Sequence, residues 1–188
     1  MGSNRGRDKS GSKNWSKEGE PKEIIFMHAG DGLTNKRRGE VVEAEFLARV
    51  ARLGFKVLKP WGDSERYDFV VEGGKGFWRV QVKFTTCERK GNYFLALATE
   101  GEPYTGEEID FVVIYVAPED LWFVLPIEMV ESLLGLGLRP HRRRSKFNRY
   151  QEAWCLLACS RKARGWKDIP AVCRCKKLAA RCAVCPNR

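Results

Sequence analysis

The chain has 188 residues, 43% of them hydrophobic, which suffices for one core of ordinary size with tails to spare. No apolar run approaches the roughly 18 residues of a membrane span, and the polar, Gly/Ser-rich start from Met1 to Ser16 has no apolar centre like that of a secretory signal, so a soluble intracellular protein, cytoplasmic or nucleoid-associated, is expected. The net charge of +10 is unevenly placed: residues 39–138 hold 10 Lys/Arg against 17 Asp/Glu, and residues 139–188 hold 15 against two, an acidic middle suited to a cation beside a basic end suited to nucleic acid.

In chain order, residues 1–22 read as a disordered basic tail, low in hydrophobicity with a lone Trp15. Residues 23–160 read as the folded domain. Glu23 to Met27 fits either a short strand or an apolar staple onto the core. Gly39 to Leu53 is expected as a helix stopped by Gly54. Strands are expected at 55–58, 67–72, 77–85, 93–98, 109–116 and 121–125, the run from Ile109 to Val116 being continuously apolar, as in a strand buried on both faces. Pro126 then opens a predicted helix to about Leu134, and Tyr150 to Leu157 makes a terminal one. Helix first, strands next and helices last give an α/β fold around a mixed sheet flanked by helices.

Two features concentrate chemistry. On the first helix, Val42, Phe46, Leu47, Val50 and Leu53 form a stripe, and Glu43 falls within it; a carboxylate there is costly unless paired. It is a ligand for metal or water, a partner for Lys83, or a glutamate that snorkels to the surface. The second feature is a hairpin. With the turn centred on Gly74-Lys75, paired residue numbers sum to 149, so Asp68 faces Gln81, and alternation puts Gln81 and Lys83 on one face with Val80, Val82 and Phe84 on the other. Singly, Asp68 reads as a strand-start residue and Lys83 as an edge guard. Together, an acid, an amide oxygen and an amine on one patch suit metal-assisted phosphodiester hydrolysis.

The ordered set Gly39-Glu40-Val41-Val42-Glu43, Pro60-Trp61-Gly62-Asp63, Asp68 and Gln81-Val82-Lys83 resembles the PD-(D/E)XK nuclease superfamily. The nearest branch is that of group I intron-associated homing endonucleases, with archaeal Holliday-junction resolvases as relatives. The resemblance runs from about Arg38 to Leu157 and includes Asp110-Phe111-Val112-Val113 and Tyr150 to Trp154. It implies a restriction-endonuclease-like core and a Mg²⁺-dependent DNA endonuclease. Asp68 would be the principal Mg²⁺ ligand, with Glu43 the helix-borne acid, the Val82 carbonyl a further ligand and Lys83 the group that polarises the attacking water or steadies the phosphate. Gln81 departs from the motif, standing where Asp or Glu is usual. Its amide oxygen can hold a hard cation without the charge, so affinity should fall. The alternatives are a catalytically silent DNA-binding module and a structure-selective resolvase. Cutting both strands calls for two sites, hence a homodimer or a higher assembly.

The segment from His141 to Tyr150 offers Arg142, Arg143, Arg144, Lys146, Asn148 and Arg149, donors suited to phosphates and base edges, so it reads as a DNA contact or as a solvated linker. Residues 161–188 form a basic, cysteine-rich tail in which Cys173, Cys175, Cys182 and Cys185 are either a zinc site or reduced, unstructured thiols. Cys155 and Cys159 are expected to pack rather than react.

Overall fold

The structure, a computed structural model, describes residues 32–158 except 63, 74, 75 and 100. The Thr34 hydroxyl accepts the Arg37 N–H at 3.2 Å, a cap that starts α1 (Asn35–Arg52) one turn ahead of Gly39. Apolar periodicity misses that turn because Asn35 to Arg38 carries no apolar residue. Gly54 stops the helix as expected, at φ +87° with its N–H on the Ala51 carbonyl. Val42, Phe46 and Val50 are buried at spacings of four, whereas Leu47, expected in the stripe, is 42% exposed.

Ten strands follow: β1 (Lys56–Leu58), β2 (Phe69–Gly73), β3 (Gly76–Thr85), β4 (Glu88–Arg89), β5 (Asn92–Ala96), β6 (Ala98–Thr99), β7 (Glu102–Pro103), β8 (Phe111–Val116), β9 (Leu121–Pro126) and β10 (Gly135–Leu138). Five make a mixed sheet ordered β1-β2-β3-β8-β9, antiparallel except where β3 runs parallel to β8. All six residues of β8 are buried, as its unbroken apolar run predicts. Residues paired across strands share a face, so Phe69, Val80, Phe111, Tyr115 and Trp122 lie on the face that α1 covers. There Phe46 meets Phe69 at 5.1 Å, Trp122 at 6.3 Å and Trp154 at 6.1 Å between ring centres. Gln81, Lys83 and Thr85 alternate to the other face. On that side passes a small antiparallel sheet, β10-β5-β4, tied on where the Thr85 hydroxyl donates to the Phe94 carbonyl at 2.6 Å.

Two predicted helices are corrected. Pro126 opens only a single 3-10 turn (Ile127–Met129), after which Ser132 takes φ +64° and Gly135-Leu136-Gly137-Leu138 joins β5 as a strand. Glycine is a poor helix former, and the alternation that buries Leu136 and Leu138 is worth more as a strand. The second predicted helix is broken at Glu152, which takes φ +47°, leaving a 3-10 turn (Asn148–Tyr150) and a short α2 (Cys155–Ala158).

Glu152 pays for its left-handed backbone through its carboxylate. Oε1 accepts the Trp122 N–H at 2.9 Å, and Oε2 accepts the Trp154 indole N–H at 2.6 Å and Arg49 Nη2 at 2.9 Å, joining β9, the C-terminal segment and α1. Glu152→Ala strands two buried N–H groups, and a loss of about 3 kcal/mol is expected from urea unfolding, with an unchanged slope. At the far end of the β2–β3 hairpin, Gly73 is equally constrained: a Cβ there would lie 1.9 Å from the Leu157 carbonyl oxygen, which also accepts the Trp78 indole N–H at 2.9 Å. Among the described residues no helix is long and apolar enough to cross a membrane.

Candidate active site at the mouth of a hairpin

The β2–β3 register is the one alternation predicts. Phe69 pairs with Val80 and Gly73 with Gly76, each pair summing to 149, which brings Asp68 opposite Gln81. Asp68 stands where the two strands part. Its own N–H still reaches the Val80 carbonyl at 3.0 Å, but beyond it β2 offers β3 no further backbone. The Asp68 side chain takes over: Oδ2 accepts the Val82 N–H at 2.7 Å and Gln81 Nε2 at 2.7 Å. Gln81, 9% exposed, also donates from Nε2 to the Val82 carbonyl at 3.2 Å. Three oxygen-bearing groups therefore meet at one point.

The orientation of the amide matters. Val82 presents a carbonyl and Asp68 a carboxylate oxygen, both acceptors, so the group between them must be the Gln81 NH₂. Gln81 lies beside Asp68 as expected, but with its nitrogen turned inward. Acting as an oxygen ligand requires the amide to turn over about its last torsion.

Charge gathers around this point. Burial is the largest influence on Asp68 and pushes its pKa up to about 6; the Val82 N–H opposes this, Glu43 adds to it, and Lys83 and Gln81 oppose it. Glu43 and Lys83 are thus both within electrostatic reach of the carboxylate. The Lys83 ammonium also lies 5.3 Å from the centre of the buried Tyr104 ring. Glu43 is not paired with Lys83, one of the readings open from sequence. Its partner is Lys59, at 2.8 Å. That hydrogen bond is the main cause holding the Lys59 pKa above its ordinary value, with Asp68 and Glu40 adding to it against partial burial.

Lys59 and Tyr104 are the residues sequence reasoning missed. The one signal for Lys59 is a register that the structure supplies: Lys56 pairs with Glu72 and Leu58 with Val70, so one more step sets residue 59 beside Phe69, whose ring its ammonium overlies at 5.5 Å. Tyr104 had none, arriving through a loop whose path only the tertiary structure defines. Asp110, buried in the sheet, serves β3 structurally: its Oδ2 accepts the backbone and Nε hydrogens of Arg79 at 2.8 and 3.1 Å.

A hard cation fits these groups. Its usual neighbours are oxygens, one or two of them carboxylates, and here the hydrogens of the Gln81 NH₂ bridge the Asp68 carboxylate and the Val82 carbonyl much as a cation would. Among the described residues no group of three His, Cys, Asp or Glu assembles; the acid whose charge acts on Asp68 is Glu43.

In the basic segment Arg142, Arg143, Arg144, Lys146 and Arg149 are exposed. Asn148 turns inward, donating from Nδ2 to the Pro140 and Arg142 carbonyls at 3.1 and 2.8 Å, which makes it a loop-closing residue. Cys173, Cys175, Cys182 and Cys185, the tail at 1–22 and Cys159 lie outside the described residues.

The sequence model of the PD-(D/E)XK endonuclease family matches residues 33–157. Among solved structures, the bacterial homing endonuclease I-Ssp6803I is similar at 29% identity and a TM-score of 0.57, over 66% of this chain and 93% of that one. The Holliday junction resolvase Hjc of the archaeal hyperthermophile Archaeoglobus fulgidus is similar at 19% identity and a TM-score of 0.38, over 54% of this chain and 84% of that one. No curated protein matches.

Proposed function

Because the chain belongs to the PD-(D/E)XK endonuclease family, we propose that it is a Mg²⁺-dependent endonuclease that hydrolyses phosphodiester bonds of DNA at the mouth of the β2–β3 hairpin. The observation that carries this is the Asp68 carboxylate, held against β3 by Val82 and Gln81 within the fields of Glu43 and Lys83. Asp68 would hold the ion, joined by the Val82 carbonyl, by Gln81 once its amide has turned, and by Glu43 if it leaves or shares Lys59. A divalent ion at this place supplies Lewis-acid polarisation of the phosphate and a more acidic bound water.

The chain's own groups do the rest. Lys83, on the same strand face as Gln81, presents an ammonium to the attacking water and to charge growing on the phosphate, with Tyr104 as an aromatic wall on one side. Asp68 and Lys83 are half-buried, which lessens the screening of their charges by bulk water. Arg142, Arg143, Arg144, Lys146 and Arg149 would hold the DNA backbone, which is needed because an acidic site repels a polyanion. Double-strand cutting would use two copies of the chain.

The test is incubation of the purified protein with supercoiled plasmid, linear duplex and a four-way junction, in Mg²⁺ and in EDTA. Nicked and linear plasmid in Mg²⁺ and none in EDTA is the expected result, and preferential cutting of the junction would mark a structure-selective enzyme. Binding without cutting in any divalent metal would leave a DNA-binding module and sink the catalytic reading.

A further inference from the structure

We propose that the small sheet β10-β5-β4 and the basic segment beside it form a binding site for one unstacked nucleotide of the DNA, with Phe94 as the shelf beneath its base. This deepens the endonuclease reading and rests on it. Phe94, on β5, is 42% exposed. It pairs across β10 with Gly137, where a Cβ would come 3.2 Å from the ring. The missing side chain lets the ring lie against the β10 backbone, supported on one side and open on the other.

That ring borders a cleft of about 420 Å³ whose lining includes Arg139, Arg142, Arg144 and Lys146 and contains no acid. An aromatic face rimmed by cations is the chemistry that holds a nucleobase with its phosphate. The loop carrying these cations is fastened to β5. Tyr93, next to Phe94, donates its hydroxyl to Glu119 at 2.5 Å, and the other Glu119 oxygen meets His141 Nε2 at 3.0 Å.

The place is consistent with the role. Thr85 shares the strand face of Gln81 and Lys83, and its bond to the Phe94 carbonyl shows that β5 crosses that face. Thr85 lies two residue steps along the strand from Lys83, about 7 Å, or roughly two base-pair steps of DNA. A base stacked within a duplex has no free face to offer a shelf, so the occupant must be unstacked.

The experiment compares wild type, Phe94→Ala and Phe94→Trp by fluorescence anisotropy in EDTA, where nothing is cut. The probes are a short perfect duplex and the same duplex with one unpaired 2-aminopurine. Wild type should prefer the unpaired probe by about tenfold and quench its emission. Phe94→Ala should lose both preference and quenching, and Phe94→Trp should keep them. A wild type without the preference, or an alanine variant that retains it, overturns the proposal. If plasmid is cut in Mg²⁺ but the preference is absent, only this inference falls; if neither probe binds and nothing is cut, the endonuclease reading falls with it.

Discussion

Asp68→Asn is expected to abolish cleavage and at the same time to make the metal-free protein more stable at pH 8. Loss of the carboxylate removes the principal anionic group from the proposed Mg²⁺ site, and a fall of at least about a thousandfold in rate follows from several kcal/mol of lost transition-state stabilisation. The stability change has the opposite sign for a physical reason. Burial raises the Asp68 pKa from 3.8 to about 6. Between those values the folded chain binds more protons than the unfolded one, so the contribution is full below pH 3.8 and is lost as pH rises through about 6. Above that, the buried charge costs up to about 3 kcal/mol, less whatever solvent screening takes away. Asparagine keeps an oxygen for the Val82 N–H and the Gln81 NH₂ without the charge. Thermal unfolding in EDTA from pH 4 to 8 should show wild type losing stability between about pH 4 and 6 and levelling off above, and the variant lacking that fall. A variant that melts lower than wild type at pH 8 would refute the account of the carboxylate as a strained, functional group.

Gln81→Glu should tighten divalent-cation binding and weaken the metal-free fold. In the present protein the Gln81 NH₂ satisfies two acceptors at once, the Asp68 carboxylate and the Val82 carbonyl. A carboxylate in its place offers no hydrogen, so the Val82 N–H would be left as the donor facing three converging oxygens. Two like charges 4 Å apart repel by about 4 kcal/mol at an effective dielectric of 20, and a melting point lower by several degrees in EDTA is expected. The same charge attracts a cation, so calorimetric titration with Mn²⁺ should give a Kd at least tenfold lower, and Mn²⁺ should restore the melting point. Equal Kd values for the two proteins would remove Gln81 from the proposed cation site. On this reasoning glutamine at position 81 exchanges ion affinity for a site that is stable while empty.

The hairpin was legible because alternation of two and a glycine-rich turn between Gly73 and Gly76 leave few registers, and any slip by one residue would bury Gln81 and Lys83 among valines. The strand from Phe111 to Val116 was legible for a simpler reason: six apolar residues in a row can only be comfortable with both faces covered. Glu43 could be flagged by its place in an apolar stripe, but not its partner, since Lys59 reaches it from another element. The helix lost at Glu152 was illegible for a similar reason. Its left-handed backbone is held by Trp122, Trp154 and Arg49, three residues whose meeting is a product of the fold.

The contact between Gly73 and Leu157 ties the tip of the β2–β3 hairpin to α2. One end of the hairpin lies under the last described helix, and the other, about 17 Å away along five strand residues, lies at the Asp68–Gln81 pair. Both strands run unbroken from that tip to the Asp68–Gln81 end, held along the way by β1 and β8, so a shift at the tip is carried through the sheet and not absorbed in a loop. Repacking around Leu157 or Trp78 is therefore expected to shift oxygen atoms that neither residue touches, and so to reach the proposed active site from the opposite end of the hairpin.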